Sequence, residues 1–508
     1  MLYLTEAFSP ASTGPVAVLG LLLLGSIYYF LQNSLSHPLV NGKQTLEFRN
    51  TQVQQRFLSN ARSLIKEGVA KWPAFNIATV NGHRLVLSTK YINEIRSHEL
   101  LDFNKAIAHD FHPEVHGFEP FRQGLDGRDI VQDAVRMKLT QSLGHVTKPL
   151  SEETSLALQK NWTDNYEWHT IPLKTTILDI VAQLSSKVFL GDQICRNPDW
   201  LRITVAYTVD SFQAAEALRF WPKFMRPMIA SYLPATRKVQ AELQEACDII
   251  TPVLEKRRKE KQAALDRGET PARYNDAMEW METCAKGRPY DAAAAQLSFS
   301  LAAIHTTSDM LTQVLYDIHS HEGLADALRK EVLDVVQSEG WQKTTLYKLK
   351  LMDSVLKESQ RMKPVSFVSM SRKAEKTFKL SDGTTIPKNS IVCVPAERQW
   401  DESVYSSPLE FDPYRFLKLR EQSGHETSAQ LVSPSPEHLG FGFGKHACPG
   451  RFFAANELKI ALCHILLKYD FRLPEGASEP KPIVRGFGMI AEPRANMEIR
   501  RREPEIEL

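Results

Sequence analysis

The sequence is short of cysteine and has no surplus of charge of either sign. Its 508 residues include 6 cysteines, none of them in a Cys-x-x-Cys pair, which excludes a disulfide framework and structural-zinc spacing. Lysine and arginine number 62 against 60 aspartates and glutamates, a formal net charge of +2. We therefore expect no nucleic-acid partner. Apolar residues make up 43% of the chain, which is typical of a globular protein and excludes intrinsic disorder.

Charge is also absent from most of the amino terminus. Between Glu6 and Lys43 the chain has no aspartate, glutamate, lysine or arginine, and residues 13–31 are long and apolar enough to cross a bilayer as a helix. Basic residues such as Arg49 follow this span, so the positive-inside rule places the rest of the chain on the cytosolic face. A cleaved signal peptide is the alternative, but no lysine or arginine precedes the span.

These patterns divide the chain into four parts. We predict a short terminus on the far side of the membrane at residues 1–12 and a transmembrane anchor helix at residues 13–31. A polar linker follows at residues 32–45, and one large domain occupies residues 46–508.

The large domain is predicted to be mainly α with a minor β component. Residues 292–318 are apolar on nearly all sides but carry His305 and Asp309, which favours a long central helix over a second membrane span. Short alternating segments flank the turn signal Asp382-Gly383, as in a β-hairpin. A glycine-rich turn then precedes a last helix.

This glycine-rich turn, residues 441–451 (FGFGKHACPGR), surrounds Cys448 and is called the cysteine loop below. A cysteine just before a helix meets the positive end of the helix dipole and unpaired N–H donors, both of which stabilise a thiolate. The glycines let the backbone pass close to a flat ligand, whose edge Phe441 could cover. Thiolate is the axial ligand that pushes electron density onto haem iron and favours O–O cleavage.

The cysteine loop resembles the haem-binding loop of cytochromes P-450, Phe-x-x-Gly-x-x-x-Cys-x-Gly. Phe441, Gly444, Cys448 and Gly450 stand in the required places. For the loop alone, a buried structural cysteine beside a chance glycine-rich turn is the alternative. Three further motifs in the family's order along the chain argue against that alternative.

The first motif is Glu-x-x-Arg, in which Glu358 and Arg361 lie on one face of a helix and can pair. The second resembles the family's Pro-x-Arg-Phe, and the resemblance implies that its Arg415 completes a buried triad with that pair. The third is Ala-Ala-Ile-His-Thr-Thr at residues 302–307, which is similar to the oxygen-activation motif and contains Thr306. The resemblance covers the chain from about residue 46 and implies the cytochrome P-450 fold behind one amino-terminal transmembrane helix.

The third motif departs from the usual family pattern. Ala303 replaces a glycine, and His305 replaces the acid beside the threonine. This variant resembles the fungal group that contains the ent-kaurene and indole-diterpene oxidases. The resemblance implies that Thr306 takes part in oxygen activation. His305 either relays protons through water or faces away and satisfies a carbonyl group.

The resemblance also implies a haem b cofactor with Cys448 as the axial ligand of its iron. The two haem propionates call for cationic partners, and His446 and Arg372 fit these roles. Arg136 fits a third such role, although Gln132 stands where the family usually has tryptophan, and a surface arginine is the alternative. By the same resemblance the substrate pocket is lined by mostly apolar residues, which are residues 106–124, Phe299, Ala302, Ala303, residues 365–370 and residues 486–490.

The implied function is that of a haem-thiolate monooxygenase in the endoplasmic reticulum membrane. It would insert one atom of O₂ into a lipophilic secondary metabolite with a terpenoid, indole-diterpene or polyketide skeleton. The chain has no Gly-rich phosphate-cradling loop, so electrons would come from an NADPH-cytochrome P-450 reductase, with cytochrome b5 as an optional second donor. The alternatives are a reductase-independent haem-thiolate isomerase or dehydratase, which usually lacks the threonine that Thr306 supplies here, and a haem-binding scaffold without activity.

Overall fold

A computed structural model describes residues 20, 35–45, 47, 49–125, 129–506 and 508. The predicted terminus at residues 1–12 and the anchor at residues 13–31 lie outside these residues, apart from residue 20. No helix in the described part of the chain combines the length and the apolar character that crossing a bilayer requires. The anchor, its orientation and the domain boundaries therefore stay predictions.

The described residues fold mainly into helices. In chain order these are α1 (Thr51–Lys71), α2 (Ile92–Ile95), α3 (Phe103–Phe111), α4 (Ile130–Asp133), α5 (Thr140–Trp162), α6 (Leu173–Leu190), α7 (Pro198–Arg219), α8 (Arg226–Ala230), α9 (Pro234–Asp266), α10 (Ala277–Ala285), α11 (Ala292–Ser320), α12 (Leu324–Glu339), α13 (Lys343–Lys348), α14 (Lys350–Met362), α15 (Arg415–Arg420) and α16 (Arg451–Lys468). A π-helical turn, Ala134–Leu139, joins α4 to α5.

The strands are fewer and shorter, as the predicted minor β component requires. They are β1 (Leu39–Val40), β2 (Ala74–Thr79), β3 (Gly82–Leu87), β4 (Leu101–Asp102), β5 (His169–Pro172), β6 (Val368–Ala374), β7 (Phe378–Lys379), β8 (Thr385–Ile386), β9 (Ile391–Pro395), β10 (Tyr469–Arg472), β11 (Ile483–Arg485), β12 (Gly488–Ile490) and β13 (Asn496–Arg501).

The largest sheet has six strands in the order β1-β2-β3-β9-β6-β4. Its pairs β1–β2 and β3–β9 are parallel, and the other neighbours are antiparallel. Strands β10, β13 and β5 form a separate antiparallel sheet, and β11 pairs with β12. The predicted hairpin is confirmed, since β7 and β8 pair on either side of Asp382 and Gly383.

The end of the predicted linker belongs to the sheet. Leu39 and Val40 form β1, and Val40 is buried in an apolar cluster that also contains Phe57 and Ile77. The side-chain amide of Asn41 donates to backbone carbonyls of α1 and β2 at 2.9 Å each. The polar composition of this segment predicts a linker. The structure instead holds it on the domain through the burial of Val40 and the two hydrogen bonds of Asn41.

The predicted central helix is confirmed as α11, which packs against α6, α7, α9 and α14. The Asp291 side chain caps its first turn by accepting a hydrogen bond from the Ala294 N–H at 2.9 Å. A helix enclosed on several sides needs apolar residues around its circumference, which is the pattern seen in the sequence. This helix forms one wall of the site described below.

Helix α1 packs against β2 through a glycine. A Cβ atom at Gly68 would lie 2.2 Å from a ring carbon of Phe75, closer than any packed side chain tolerates. The Gly68→Ala variant is expected to lose about 1–3 kcal/mol of unfolding free energy, because the Phe75 ring must shift within a filled core. Chemical denaturation of the purified protein measures this loss.

Gly144 provides the matched control, since it is also a helical glycine. A Cβ there would meet its nearest atom at 4.0 Å, on Lys343. Gly144→Ala is expected to raise the unfolding free energy by roughly 0.5–1 kcal/mol, because alanine is the better helix former. Equal stability of the two variants would contradict the packing of α1 on β2.

Candidate functional site

The cysteine loop folds back on itself just before α16. The Cys448 N–H donates to the carbonyl oxygen of Phe441 at 2.8 Å, and the Ala447 N–H donates to that of Gly444 at 3.0 Å. Arg451, the first residue of α16, donates from Nη1 to the Cys448 carbonyl at 2.8 Å. These bonds hold Cys448 in one position at the helix start, as the sequence predicts.

Gly444 is required by a close approach of two backbone segments. Its φ is +78°, and a Cβ there would lie 2.3 Å from the carbonyl oxygen of Arg96. The same carbonyl accepts the Lys445 N–H at 3.1 Å. Any side chain at Gly444 would therefore push the cysteine loop away from the chain that follows α2.

The cysteine loop and α11 face each other across a cavity of about 290 Å³, called the main cavity. Cys448 lies on one wall, and Thr306 lies on the wall formed by α11. Most of the remaining lining is apolar. It consists of Val135, Leu139, Phe189, Phe299, Ala302, Ala303, Thr307, Asp309, Met310, Gln360, Lys363, Val365, Gly440, Phe441, Pro449, Gly450, Phe453, Ala454 and Leu458.

Two opposing effects act on the pKa of the Cys448 thiol. Burial raises its pKa above the ordinary value, and this outweighs the N–H groups of Gly450 and Arg451 and the Arg451 guanidinium, which lower it. The groups at the helix start thus lower the pKa, in the predicted direction, but burial has the larger effect. A metal cation that binds the sulfur displaces the proton and reverses the balance.

Cationic side chains gather near one edge of the cysteine loop. Arg372 on β6 is buried; its Nη1 donates to the Ser371 carbonyl at 2.7 Å, and its Nη2 has no partner among the described residues. Burial and the charges of Arg372, Lys445 and Arg136 lower the pKa of His446 to about 4. Arg372 and Arg136 are therefore near enough for their charges to act on His446, although Arg136 is exposed.

These residues fit a haem group. The sulfur of Cys448 lies on the wall of a largely apolar cavity, and a buried guanidinium nitrogen of Arg372 has no acceptor among the described residues. A haem propionate is the kind of acceptor that Arg372, His446 and Arg136 call for. Gly442, with a φ of +68°, adds a second turn that favours glycine in the cysteine loop.

The predicted oxygen-activation residues point in different directions. Thr306 faces the main cavity, and its hydroxyl donates to the Ala302 carbonyl at 3.0 Å. His305 is not among the lining residues, and its Nε2 lies 3.0 Å from the carbonyl oxygen of Val205 on α7. Burial lowers the pKa of His305, which favours the neutral imidazole. This is the geometry of the alternative in which His305 satisfies a carbonyl group.

Glu358, Arg361 and Arg415 come together as a buried ion triad. Arg361 donates from Nε and Nη2 to the two carboxylate oxygens of Glu358, both at 2.8 Å. Arg415 donates from Nε to Glu358 Oε1 at 3.0 Å, and the Asp412 N–H adds a contact of 3.2 Å. The side chains of Glu358 and Arg361 are 0% exposed, and that of Arg415 is 11% exposed.

The remaining donors of the two arginines bind backbone carbonyls. Arg361 donates from Nη1 to the carbonyl of Pro408 at 2.8 Å and also to that of Gln399. Arg415 donates from Nη1 to the Ser406 carbonyl at 2.6 Å. The triad therefore fastens the irregular chain before α15 to α14.

Comparison with known proteins agrees with this geometry. The family model for Cytochrome P450 matches residues 128–498. The chain belongs to the cytochrome P450 family. It is 50% identical to cytochrome P450 monooxygenase adrA of Penicillium rubens over 97% of both chains. Cytochrome P450 monooxygenase trt6 of Aspergillus terreus is 48% identical over 90% of this chain and 92% of its own.

A third relative, cytochrome P450 monooxygenase 1 of Gibberella fujikuroi, is 48% identical over 85% of this chain and 98% of its own. The predicted resemblance to fungal members of the family is thus confirmed. The chain is a P450 monooxygenase, an oxidoreductase, and the family implies a thiolate-ligated haem.

Sequence reasoning did not single out the ion pair beside Thr306 in this P450. Asp309 on α11 lines the main cavity and accepts a hydrogen bond from Lys174 Nζ on α6 at 2.8 Å. The same oxygen accepts the Ala491 N–H at 2.8 Å, and Lys174 also donates to the Ala491 carbonyl at 2.9 Å. The pair thus ties the chain after β12 to the central helix.

The residues predicted to line one substrate pocket are divided among three pockets, one of which is lined by Glu119, Arg122 and Gln123. Those that line the main cavity are Phe299, Ala302, Ala303 and Val365. Phe111, from the predicted segment 106–124, and Phe487, from the segment 486–490, line a second pocket of about 300 Å³. Because Arg84, Arg219 and Arg485 also line it, we call it the arginine pocket.

The triad predicts a specific loss in the Glu358→Ala variant. Removing the carboxylate leaves Arg361 and Arg415 as buried charges without a counter-ion, at a cost of about 3–5 kcal/mol. We expect little haem-loaded protein, measured as the absorbance of the ferrous–CO complex per purified chain.

Lys418→Ala is the control, since Lys418 forms an ion pair with Asp412 but its side chain is 67% exposed. An exposed pair of this kind contributes at most about 1 kcal/mol, so haem content is expected to stay normal. Normal haem content in Glu358→Ala as well would show that the triad does not hold the cysteine loop.

Proposed function

We propose that this P450 inserts one atom of O₂ into a lipophilic secondary metabolite. In this proposal electrons come from NADPH through a membrane-bound flavoprotein reductase. The observation that carries the proposal is the main cavity, in which Cys448 and Thr306 line one largely apolar space. The likeness of the 302–307 motif to the ent-kaurene and indole-diterpene oxidases supports a terpenoid, indole-diterpene or polyketide skeleton as substrate.

Each site residue has a defined task in this proposal. When bound, haem supplies the centre at which O₂ is reduced and one oxygen atom passes to the substrate. Cys448 would be its axial ligand, and Arg372, His446 and Arg136 would neutralise its propionates. Phe441, Gly444 and Gly450 would shape the cysteine loop around it.

Thr306 is suited to handle protons on the opposite wall. Its hydroxyl donates to the Ala302 carbonyl, while its oxygen remains exposed to the main cavity and can accept a hydrogen bond there. Rotation about its Cα–Cβ bond would let Oγ1 donate into the cavity instead. The apolar lining around it limits bulk water, so proton delivery would depend on this hydroxyl and a few ordered waters.

The runner-up function is a haem-thiolate isomerase or dehydratase that needs no reductase. Such enzymes have no use for a hydroxyl that delivers protons to reduced O₂. The presence of Thr306 on the cavity wall therefore favours the monooxygenase. Turnover with isotopically labelled O₂ separates the two, because only a monooxygenase transfers the label to its product while it consumes NADPH.

An exposed apolar surface supports a position at the cytosolic face of the endoplasmic reticulum membrane. Between α7 and α9, the exposed fractions are 84% for Phe220, 80% for Phe224, 71% for Met228 and 78% for Tyr232. Clustered aromatic residues with this exposure are typical of surfaces that meet a lipid interface. The surface would lie on the membrane beside the predicted anchor at residues 13–31.

The assignment of the thiolate is tested with Cys448→Ser. We expect this variant to lose the red-shifted Soret band of the ferrous–CO complex, because a serine oxygen does not replace thiolate as a strong electron donor. Cys247→Ser, at a half-buried cysteine outside the main cavity, is the control and should keep the band. If Cys448→Ser keeps it, another residue ligates the iron.

Proton delivery is tested with Thr306→Ala. This variant should bind substrate normally but divert electrons to hydrogen peroxide, so that product formed per NADPH falls by about tenfold or more. The measurement is made with reductase and a panel of diterpenes. Unchanged coupling in Thr306→Ala would remove the hydroxyl from the proposed mechanism.

His305→Ala is the paired variant, because the neighbouring side chain is turned to Val205 instead of the cavity. From this orientation we expect its coupling ratio to match wild type between about pH 6 and 8, where an imidazole titrates. A pH-dependent loss of coupling would instead identify His305 as a relay.

A further inference from the structure

The arginine pocket has no lining residue in common with the main cavity, although Phe111 and Phe487 belong to segments predicted to line the substrate pocket. It is formed by α1, the turn between β2 and β3, α3, α7 and the turn between β11 and β12. Two aromatic pairs contribute to its walls. The rings of Phe57 and Phe487 meet edge to face with centroids 4.8 Å apart, and those of Phe111 and Phe212 do so at 4.6 Å.

The charges of the pocket are organised around Asp110. Its carboxylate accepts hydrogen bonds from the Asn81 amide at 2.7 Å and from Arg84 Nη2. Arg219 approaches from α7 and donates from Nη2 to the Asp110 backbone carbonyl at 2.9 Å. The Asp110 carboxylate is therefore already engaged by Asn81 and Arg84, whereas Arg219 binds the backbone alone.

Positive charge is in excess here. Arg84, Arg219 and Arg485 line the pocket together with Asp110 and Glu216, which leaves one cation over. Outside the lining, Arg226 is also near enough for its charge to lower the pKa of Arg219. Arg485 and Glu216 are exposed, but Arg84 is buried, and a buried cation is unfavourable unless an anion is near.

Two guanidinium nitrogens in this pocket lack acceptors. Arg84 Nη1 and Arg219 Nε are buried and have no hydrogen-bond partner in the described part of the chain. Arg84 itself is 9% exposed. Buried N–H donors are nearly always paired, so two unpaired donors on arginines of one pocket point to a missing acceptor.

We propose that the arginine pocket binds the oxyanion head of an amphipathic molecule, a carboxylate or a phosphate, whose apolar body packs against the two aromatic pairs. Guanidinium groups suit both anions, because their planar N–H donors match the spacing of two anionic oxygens. A lipophilic carboxylic acid and a phospholipid of the membrane both present this chemistry. The proposal is independent of the reaction in the main cavity, since it concerns binding alone.

Equilibrium dialysis of the full-length holoenzyme tests the proposal, with the main cavity filled by a saturating imidazole-type haem ligand. The probes are dodecanoate and its methyl ester, then dihexanoyl phosphatidate and dihexanoyl glycerol. In each pair the anion should bind about tenfold or more tightly than its uncharged partner, because charge-assisted hydrogen bonds are lost with the charge. Equal binding within both pairs would overturn the proposal.

Arg219→Gln is the decisive variant, because it removes the charge while breaking one bond to a backbone carbonyl. It should weaken anion binding about tenfold or more, and Arg219→Lys should restore part of it. Arg202→Gln is the matched control on the same helix, where Arg202 pairs with the exposed Glu245. Undiminished anion binding in a folded Arg219→Gln protein would refute the site.

Tighter binding of phosphatidate identifies a lipid as the natural ligand, and tighter binding of dodecanoate identifies a carboxylic acid. Both results support the site.

Discussion

Glu358 is completely buried, and a carboxylate in that position is tolerable only when it is paired and fully hydrogen-bonded. Arg361 and Arg415 meet this requirement, and their other donors fasten the irregular chain before α15 to α14. The next residue back, Lys357, donates to three backbone carbonyls of the loop at residues 428–433. Adjacent residues of α14 thus hold the two stretches of loop that lead to the cysteine loop, and Glu358 fixes the first of them through its two arginines.

The surroundings of the cysteine loop differ from those of the triad, because here the described residues do not fully satisfy the buried groups. Burial opposes the thiolate of Cys448, and Nη2 of the buried Arg372 has no acceptor in the part of the chain that the structure describes. A cation near the sulfur and an anion near the arginine would satisfy both groups. A haem supplies both, since its iron is a cation for the sulfur and its propionates are anions for the arginine. Binding of haem would meet both requirements at once, and it would therefore stabilise the cysteine loop.

Features that depend on residues close together in the sequence could be predicted from it. Features that depend on residues far apart in the chain could not. The pairing of Glu358 with Arg361 is fixed by helical geometry, and the glycines of the cysteine loop predict a tight turn of its backbone. Helical geometry also requires His305 and Thr306 to point about 100° apart, but the rotation of α11 against its neighbours decides which one meets the cavity. Lys174 and Asp309 are 135 residues apart, and nothing local distinguishes them from other charged residues. The arginine pocket escaped prediction for the same reason.

Backbone hydrogen bonds connect the segment that lines the arginine pocket between β11 and β12 with the main cavity. Between β11 and β12, the Gly486 N–H donates to the Leu58 carbonyl at 2.8 Å, and the Phe487 carbonyl accepts the Phe367 N–H at 2.8 Å. The Met489 N–H then donates to the carbonyl of Val365, a residue of the main cavity, at 3.2 Å. With the Asp309 bond to Ala491, this backbone is fixed between α1, β6 and α11. A ligand in either pocket therefore contacts backbone that is already ordered. Its binding free energy does not have to include the cost of ordering that backbone.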